Sequence, residues 1–105
     1  IYPLKGYSLT LDVADEAEAP RISVTDSAAK VVYARLGRRL RVAGMADLVG
    51  EDHRIEEARL DSLLRLARAA FPKASDWREI RPWAGLRPAT PTGLPLLGAT
   101  RAAPN

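Results

Sequence analysis

Only one stretch of this sequence repeats with the period of a helix, and strand-like segments lie on both sides of it. From Ile55 to Phe71, apolar residues recur at the 3.6-residue spacing that places them on one helix face. Acidic residues come early in this stretch and basic residues late, which suits the helix dipole, and Pro72 ends the helix. The apolar face comprises Leu60, Leu63, Leu64, Ala67, Ala70 and Phe71. We therefore expect this face to pack against the strands.

The other segments alternate between apolar and polar residues, which is typical of half-buried strands. We predict strands over residues 4–13, 21–25, 30–36, 39–49 and 77–86. Four strands, a helix and a last strand predict an α+β fold, a mainly antiparallel sheet with one long amphipathic helix packed on one face. The chain is long enough for one small domain, which we place at residues 1–105.

The turn between the third and fourth strands allows two registers. A two-residue turn at residues 37–38 places Ala34 opposite Arg41, which mixes core and solvent faces. A three-residue turn places Ala34 beside the apolar residues of the next strand and groups Arg35 with the arginines there. We predict the second register, because a slip of one residue turns every side chain to the other face.

Composition excludes several classes of function. The net charge is +3, but the basic residues are scattered without stacking aromatics between them, so we expect no nucleic-acid partner. The chain has no cysteine, which excludes disulfides and thiolate metal sites. His53 is the only histidine and lies in a polar segment, so we expect it to be solvated and predict no metal site. No apolar run approaches the roughly 20 residues of a membrane span.

Arg87 is the strongest candidate for a binding residue. It stands where a strand-like run gives way to a proline-rich loop. Pro88 favours extended geometry at the residue before it, so Arg87 has a stiff backbone. A guanidinium held in one pose can donate two hydrogen bonds to a carboxylate. The alternative is that Arg87 pairs with a core acid or with backbone carbonyls beside the loop.

Four stretches carry a resemblance to a known family. Residues 2–9 resemble its P-x-K-G-Y-S-L strand, and residues 39–50 resemble its R-I-R-V-G-G-M-A-E-x-V-G strand. Residues 83–95 contain its G-L-R-P motif, and residues 94–101 resemble its x-P-x-x-G-x-T-R exit. The chain thus resembles the flavin-dependent D-amino-acid oxidase and dehydrogenase family, which includes glycine oxidase. Within that family it is most similar to the bacterial dehydrogenases.

The resemblance implies an activity for a longer protein. The family oxidises D-amino acids to imino acids, which hydrolyse to 2-oxo acids and ammonia, and the electrons pass to FAD and then to an acceptor. This sequence has no G-x-G-x-x-G turn for FAD and does not begin with Met, so we expect the substrate-binding domain fragment of a larger flavoenzyme. Thr92 replaces the family's usual aspartate, which weakens any role for that position, and Ala43 replaces its usual glycine.

The resemblance also implies the substrate-binding residues. Arg87 corresponds to the arginine that binds the substrate carboxylate, and no residue is assigned a catalytic role. Met45 ends a strand that points into the family's substrate cavity, although a methionine also fills gaps in a core. The hydroxyl of Tyr7 is a further candidate to bind the substrate carboxylate, although a strand tyrosine is more often a core residue with its hydroxyl hydrogen-bonded at the rim. Trp83 lies four residues before Arg87 with the same strand parity, so it either forms a wall of the pocket or packs its strand against the helix, and we expect the packing.

The implied partners are the D-amino-acid substrate, the FAD-binding domain of the same polypeptide, and either a respiratory quinone or oxygen as electron acceptor. The implied location is cytoplasmic, at the bacterial inner membrane for the quinone-linked enzymes. Around Leu94 to Leu97 we expect exposed apolar surface and hence self-association. The alternative function is a non-catalytic binding or interaction domain that keeps the fold without FAD chemistry.

We expect the isolated chain to bind no FAD and to be inactive, because the sequence has no glycine-rich turn for the pyrophosphate. Purified chain that is incubated with FAD and then desalted should retain no flavin absorbance in the visible region. Retention of stoichiometric FAD would contradict this prediction.

Overall fold

The computed structural model describes residues 1–102, and residues 103–105 of the predicted domain lie outside the described part. The elements in chain order are β1 (Tyr2–Asp12), β2 (Val24–Asp26), β3 (Val31–Leu36), β4 (Arg39–Asp47), α1 (Glu57–Ala70) and β5 (Arg81–Ala89). The strands form one five-stranded sheet in the order β2-β3-β4-β1-β5, and every neighbouring pair is antiparallel. The α+β class, the antiparallel sheet and its single helix are confirmed for the described residues.

The core lies between α1 and one face of the sheet, and β1 supplies its centre. Tyr7, Leu9 and Leu11 alternate along β1 and are buried on the side that faces α1. From α1, Leu63 and Ala67 are fully buried against them. The other buried apolar residues are Ala19, Val31, Tyr33, Leu40, Val42 and Ala74. α1 is 14 residues long, and no described helix is long and apolar enough to cross a membrane.

The other face of the sheet is not covered by any described helix, and we call it the open face. Successive side chains of a strand point to opposite faces, so the residues between the core positions of β1 lie here. The open face carries Leu4, Gly6, Ser8, Arg41, Ala43, Trp83, Gly85 and Arg87. β5 forms an edge of the sheet, which explains how it accommodates Pro82 and Pro88, since an edge strand can lack outward-facing N–H donors.

The last strand begins and ends later than the sequence predicted. Trp77 has a φ of +62° and its indole N–H donates to the Pro72 carbonyl at 2.9 Å, so it belongs to the connection that follows the helix. β5 then starts at Arg81 and continues to Ala89. Arg87 therefore lies within a strand and not in a loop, although its backbone is extended as predicted.

The predicted three-residue turn between β3 and β4 is wrong. The structure has a two-residue turn at residues 37–38, and Ala34 lies opposite Arg41. The prediction took Ala34 for a core residue, whereas Tyr33 faces the core and packs edge to face on Phe71, with ring centroids 5.2 Å apart. The small side chain of Ala34 therefore lies beside Arg41 on the open face.

Leu63→Ala should reduce the free energy of unfolding by about 2–5 kcal/mol, because it leaves a cavity where the helix meets the sheet. Leu48→Ala is the matched control, since Leu48 is 70% exposed, and it should change the free energy by no more than about 0.5 kcal/mol. Urea unfolding of the two variants measures both values. Equal losses would contradict this packing.

Candidate substrate-binding site

Arg87 presents a free guanidinium on the open face. It pairs in register with Leu4 of β1, and its side chain is exposed. Its guanidinium lies over the backbone of Gly6, where an added Cβ would come within 2.6 Å of Arg87 Nη2. Among residues 1–102, none forms an ion pair or hydrogen bond with this side chain. The alternative partner, a core acid or a backbone carbonyl, is therefore not found among these residues.

Met45 lies beside Arg87 because β4 contains a bulge. After Gly44 the register between β4 and β1 shifts before pairing resumes at Asp47. Met45 has a φ of +67°, which is uncommon for a residue other than glycine and is typical of a place where a bulge redirects the chain. Met45 and Arg87 line one cavity of about 590 Å³, which we call the Arg87 cavity.

The charges of the Arg87 cavity favour an anion. Its cationic side chains are Lys30, Arg59 and Arg87, and Asp47 is its acid. Asp47 is already paired with Arg59, at 2.8 Å between Oδ1 and Nη2. Lys30 and Arg87 therefore remain without a counter-charge from the described part of the chain. Together with apolar lining from Val32, Ala43 and Met45, this arrangement suits a small acid that carries an apolar group.

Tyr7 is the predicted site residue that the structure does not bring to this cavity. Its side chain lies on the helix side of the sheet and is only 2% exposed. Tyr7 lines a second cavity of about 380 Å³, between β1 and α1, together with Lys5. Asp47 and Arg59 line both cavities, but Tyr7 lies on the face of β1 opposite to Gly6 and Arg87, because alternate residues of a strand point to opposite faces. Arg87 and Met45 are thus brought together, and Tyr7 is placed elsewhere.

Lys5 is a fully buried charged residue on the helix side. Its Nζ lies 3.5 Å from Asp52 Oδ2 and 5.2 Å from the centre of the Tyr7 ring. Burial opposes the charge of Lys5, but the Tyr7 hydroxyl and the Asp52 carboxylate outweigh burial and raise its pKa. Hydrogen bonds from the side chain and backbone N–H of Arg54 strongly lower the pKa of Asp52, and Lys5 lowers it further. This ion pair attaches the loop before α1 to β1.

The predicted packing of Trp83 against the helix is wrong. Trp83 lies on the open face opposite Ser8 and is 55% exposed. The guanidinium carbon of Arg41 lies 5.6 Å from the centre of its ring, and Arg41 also donates to Ser8 Oγ at 3.2 Å. The side chain points away from the helix because position 83 has the parity of the open face. His53 is exposed in the loop before α1, and residues 1–102 contain no cluster of His, Asp or Glu that fits a metal ion.

The segment that follows β5 exposes its apolar side chains, as predicted. Leu94, Leu96 and Leu97 are 68%, 73% and 91% exposed. Exposed leucines at neighbouring positions are typical of a surface that contacts protein. Self-association through these residues stays a prediction.

Lys30 and Gly6 lie near Arg87 but were not predicted as site residues. Lys30 is distant from Arg87 in sequence, and nothing in its neighbourhood indicates a binding role. Gly6 did carry a signal, because an isolated glycine inside a strand often marks a close approach of another group. Its partner in β5, Gly85, carries the same signal.

The described residues do not form a site that fits the pyrophosphate of FAD. Such a site requires a helix N-terminus with free N–H groups and no competing negative charge. The described helix, α1, begins after Glu56 and has Glu57 in its first turn, so two carboxylates would repel a phosphate there. We therefore assign no contact with the FAD pyrophosphate to residues 1–102.

Comparison with known proteins adds an independent finding. The family model described as FAD dependent oxidoreductase (DAO) matches residues 1–105. The chain is 55% identical to D-amino acid dehydrogenase 2 of Pseudomonas aeruginosa over 93% of its own length. It is 50% identical to D-amino acid dehydrogenase of Paramagnetospirillum magneticum over 95% of its length. It spans 24% of the length of each of these relatives, or about a quarter.

Solved structures share the fold. Glycine oxidase from Geobacillus kaustophilus superposes with a TM-score of 0.83 and 23% identity, covering 97% of this chain and 27% of that protein. Glycine oxidase from Bacillus cereus gives a TM-score of 0.76 and 20% identity, covering 98% of this chain and 28% of that protein. At these identities the comparison establishes the architecture of the sheet and helix.

Asp52→Asn should reduce the free energy of unfolding, because Lys5 then stays buried without a counter-charge. Folding lowers the pKa of Asp52, so its contribution is complete above the unfolded carboxyl pKa of about 3.9 and is lost as the pH falls toward the folded pKa. Urea unfolding across a pH series should show a difference between wild type and D52N that shrinks below about pH 4.

The matched control is Glu51→Gln, which removes the neighbouring exposed carboxylate and should leave the free energy of unfolding nearly unchanged. A D52N difference that does not vary with pH would contradict the ion pair.

Proposed function

The chain belongs to the FAD-dependent oxidoreductase family, and from this we propose that it supplies the substrate-binding surface of a flavoenzyme that oxidises D-amino acids. Two observations support the substrate class. Relatives at 50% and 55% identity are named D-amino acid dehydrogenases. The Arg87 cavity combines a free guanidinium with an apolar wall, which suits an amino acid held by its carboxylate.

The free guanidinium of Arg87 is the observation that carries the proposal. An arginine without a protein partner keeps all its donors for a ligand, and its planar fork matches both oxygens of a carboxylate. Lys30 adds a second positive charge to the same cavity, which favours arrival of an anionic group. Met45 and Val32 form part of the apolar lining of the same cavity.

This arrangement contributes to the reaction by positioning the substrate. Oxidative deamination removes two electrons and two protons from the amino acid, and water then converts the imino acid to a 2-oxo acid and ammonia. FAD supplies the oxidation when it is bound, and we assign none of this chain's residues to it. Fixing the carboxylate orients the substrate's α-carbon, and orientation of this kind lowers a barrier by several kcal/mol, up to about 7–11 kcal/mol in well-aligned systems.

On this proposal, residues 1–105 act as a substrate domain beside an FAD-binding domain of the same polypeptide. The exposed leucines at 94, 96 and 97 support a covered surface after β5. The proposal leaves both a quinone and oxygen as electron acceptors, and it includes a cytoplasmic location, at the inner membrane surface if the acceptor is a quinone.

Arg87→Ala in the full-length flavoenzyme should lower kcat/KM for D-amino acids by about 10- to 100-fold, because a charge-assisted pair is lost in the bound state. FAD content should not change, since the described residues form no site for the FAD pyrophosphate. Arg87→Lys should recover only part of the loss, because an ammonium cannot pair with both carboxylate oxygens.

The matched control is Arg38→Ala, which removes an exposed arginine at the hairpin turn and should leave kcat/KM unaltered. Unaltered kinetics in R87A would overturn the proposed function and favour a binding domain without flavin chemistry.

A further inference from the structure

Two glycines face each other across β1 and β5 on the open face, and each lies under a large side chain. Gly6 and Gly85 are partners in the register of the two strands. A Cβ on Gly6 would come within 2.6 Å of Arg87 Nη2. A Cβ on Gly85 would overlap the ring of Trp83. The pair therefore forms a flat platform on which a guanidinium and an indole lie.

We propose that this Gly6–Gly85 platform positions Arg87 and Trp83 side by side, so that Arg87 takes the carboxylate of the ligand and Trp83 limits its side chain. The inference rests on the proposed function, because it extends the role of Arg87 as the carboxylate-binding residue. Gly6 and Gly85 are positioning residues, and Trp83 determines specificity.

The register sets how close the two groups are. Facing residues of an antiparallel pair have Cβ positions about 4.5–5.5 Å apart, and here those two positions are filled by the Arg87 guanidinium and the Trp83 ring. One ligand the size of an amino acid can therefore contact both. Its carboxylate would lie on Arg87 and an apolar or aromatic side chain on the indole.

The Trp83 ring is also held in place by Arg41. The Arg41 guanidinium lies over the indole at 5.6 Å from its centre, and Arg41 is itself attached to Ser8 by a 3.2 Å hydrogen bond. A cation–π contact of this kind restricts the ring without covering it. Trp83 is 55% exposed, so ring surface remains for a ligand.

Backbone conformation does not require glycine at either position. The glycines with positive φ are Gly37, Gly50, Gly93 and Gly98, and the platform pair is not among them. Alanine therefore fits the extended backbone at both sites, where it is more favourable than glycine in a strand. Gly6→Ala and Gly85→Ala change only the space above the sheet, which makes them clean tests of the platform.

The experiment is a double-mutant cycle between Gly6→Ala and Arg87→Ala in the full-length flavoenzyme. G6A should lower kcat/KM for a D-amino acid by about tenfold through KM when Arg87 is present. In the R87A background, G6A should lower kcat/KM by less than about twofold, because there is no guanidinium left to displace. FAD content and thermal midpoint are measured for each variant.

Gly85→Ala is the matched variant, since it adds the same methyl group on the facing strand. G85A should change the ratio of kcat/KM between D-amino acids with large and small apolar side chains. For the substrates with small side chains, G85A should lower kcat/KM by less than G6A does. Trp77→Phe leaves Trp83 as the reporter tryptophan, and G85A in that background should shift its fluorescence emission in the isolated chain.

The outcomes separate the two proposals. If R87A lowers kcat/KM and G6A does not, the Gly6 part of the platform is wrong and the proposed function stands. Equal losses from G6A in both backgrounds would show a general effect on the strand and overturn positioning. An unchanged substrate ratio and unchanged emission in G85A would overturn the role of Trp83. If R87A itself has no effect, the proposed function fails first.

Discussion

The pairing of β1 with both β4 and β5 is the constraint on which the rest of this structure depends. Because β1 is hydrogen-bonded on both sides, its side chains can point only up or down from the sheet. Tyr7, Leu9 and Leu11 point to α1 and form the centre of the core. Gly6 and Ser8 point to the open face and leave room there for groups from β5 and β4. One strand therefore builds the core and the floor of the candidate site.

The arginines of the sheet and of α1 are distinguished by their partners. Arg59 pairs with Asp47, Arg81 donates to both oxygens of Asp12 at 3.1 and 2.9 Å, and Arg41 is held by Ser8 and an indole. Exposed pairs of this kind contribute little to stability, so their main consequence is to fix direction and neutralise charge. Arg87 lies in the same sheet without such a partner in the described chain, and this difference makes it available for a ligand.

Much of the fold follows from local sequence patterns, and the predictions that were wrong failed for physical reasons. The helix, the number of strands and the antiparallel class follow from periods of 3.6 and 2, which depend on neighbouring residues alone. The register across the turn at residues 37–38 does not follow from such local periods, because it depends on whether Tyr33 or Ala34 faces the core. The prediction for Trp83 was wrong for the same reason. Alternation along β5 shows which residues share a face, but only pairing with β1 decides which face that is.

The sequence by itself determined the α+β class, the single helix ended by Pro72, the family resemblance and the stiff, extended backbone of Arg87, because each depends on residues close together in the chain. Tertiary structure alone decided which residues meet. It placed Met45 and Lys30 in the cavity with Arg87, moved Tyr7 to the other side of the sheet, and set Gly6 against Gly85. These relations depend on strand register and on the bulge in β4, which are set by long-range packing and by pairing between distant segments.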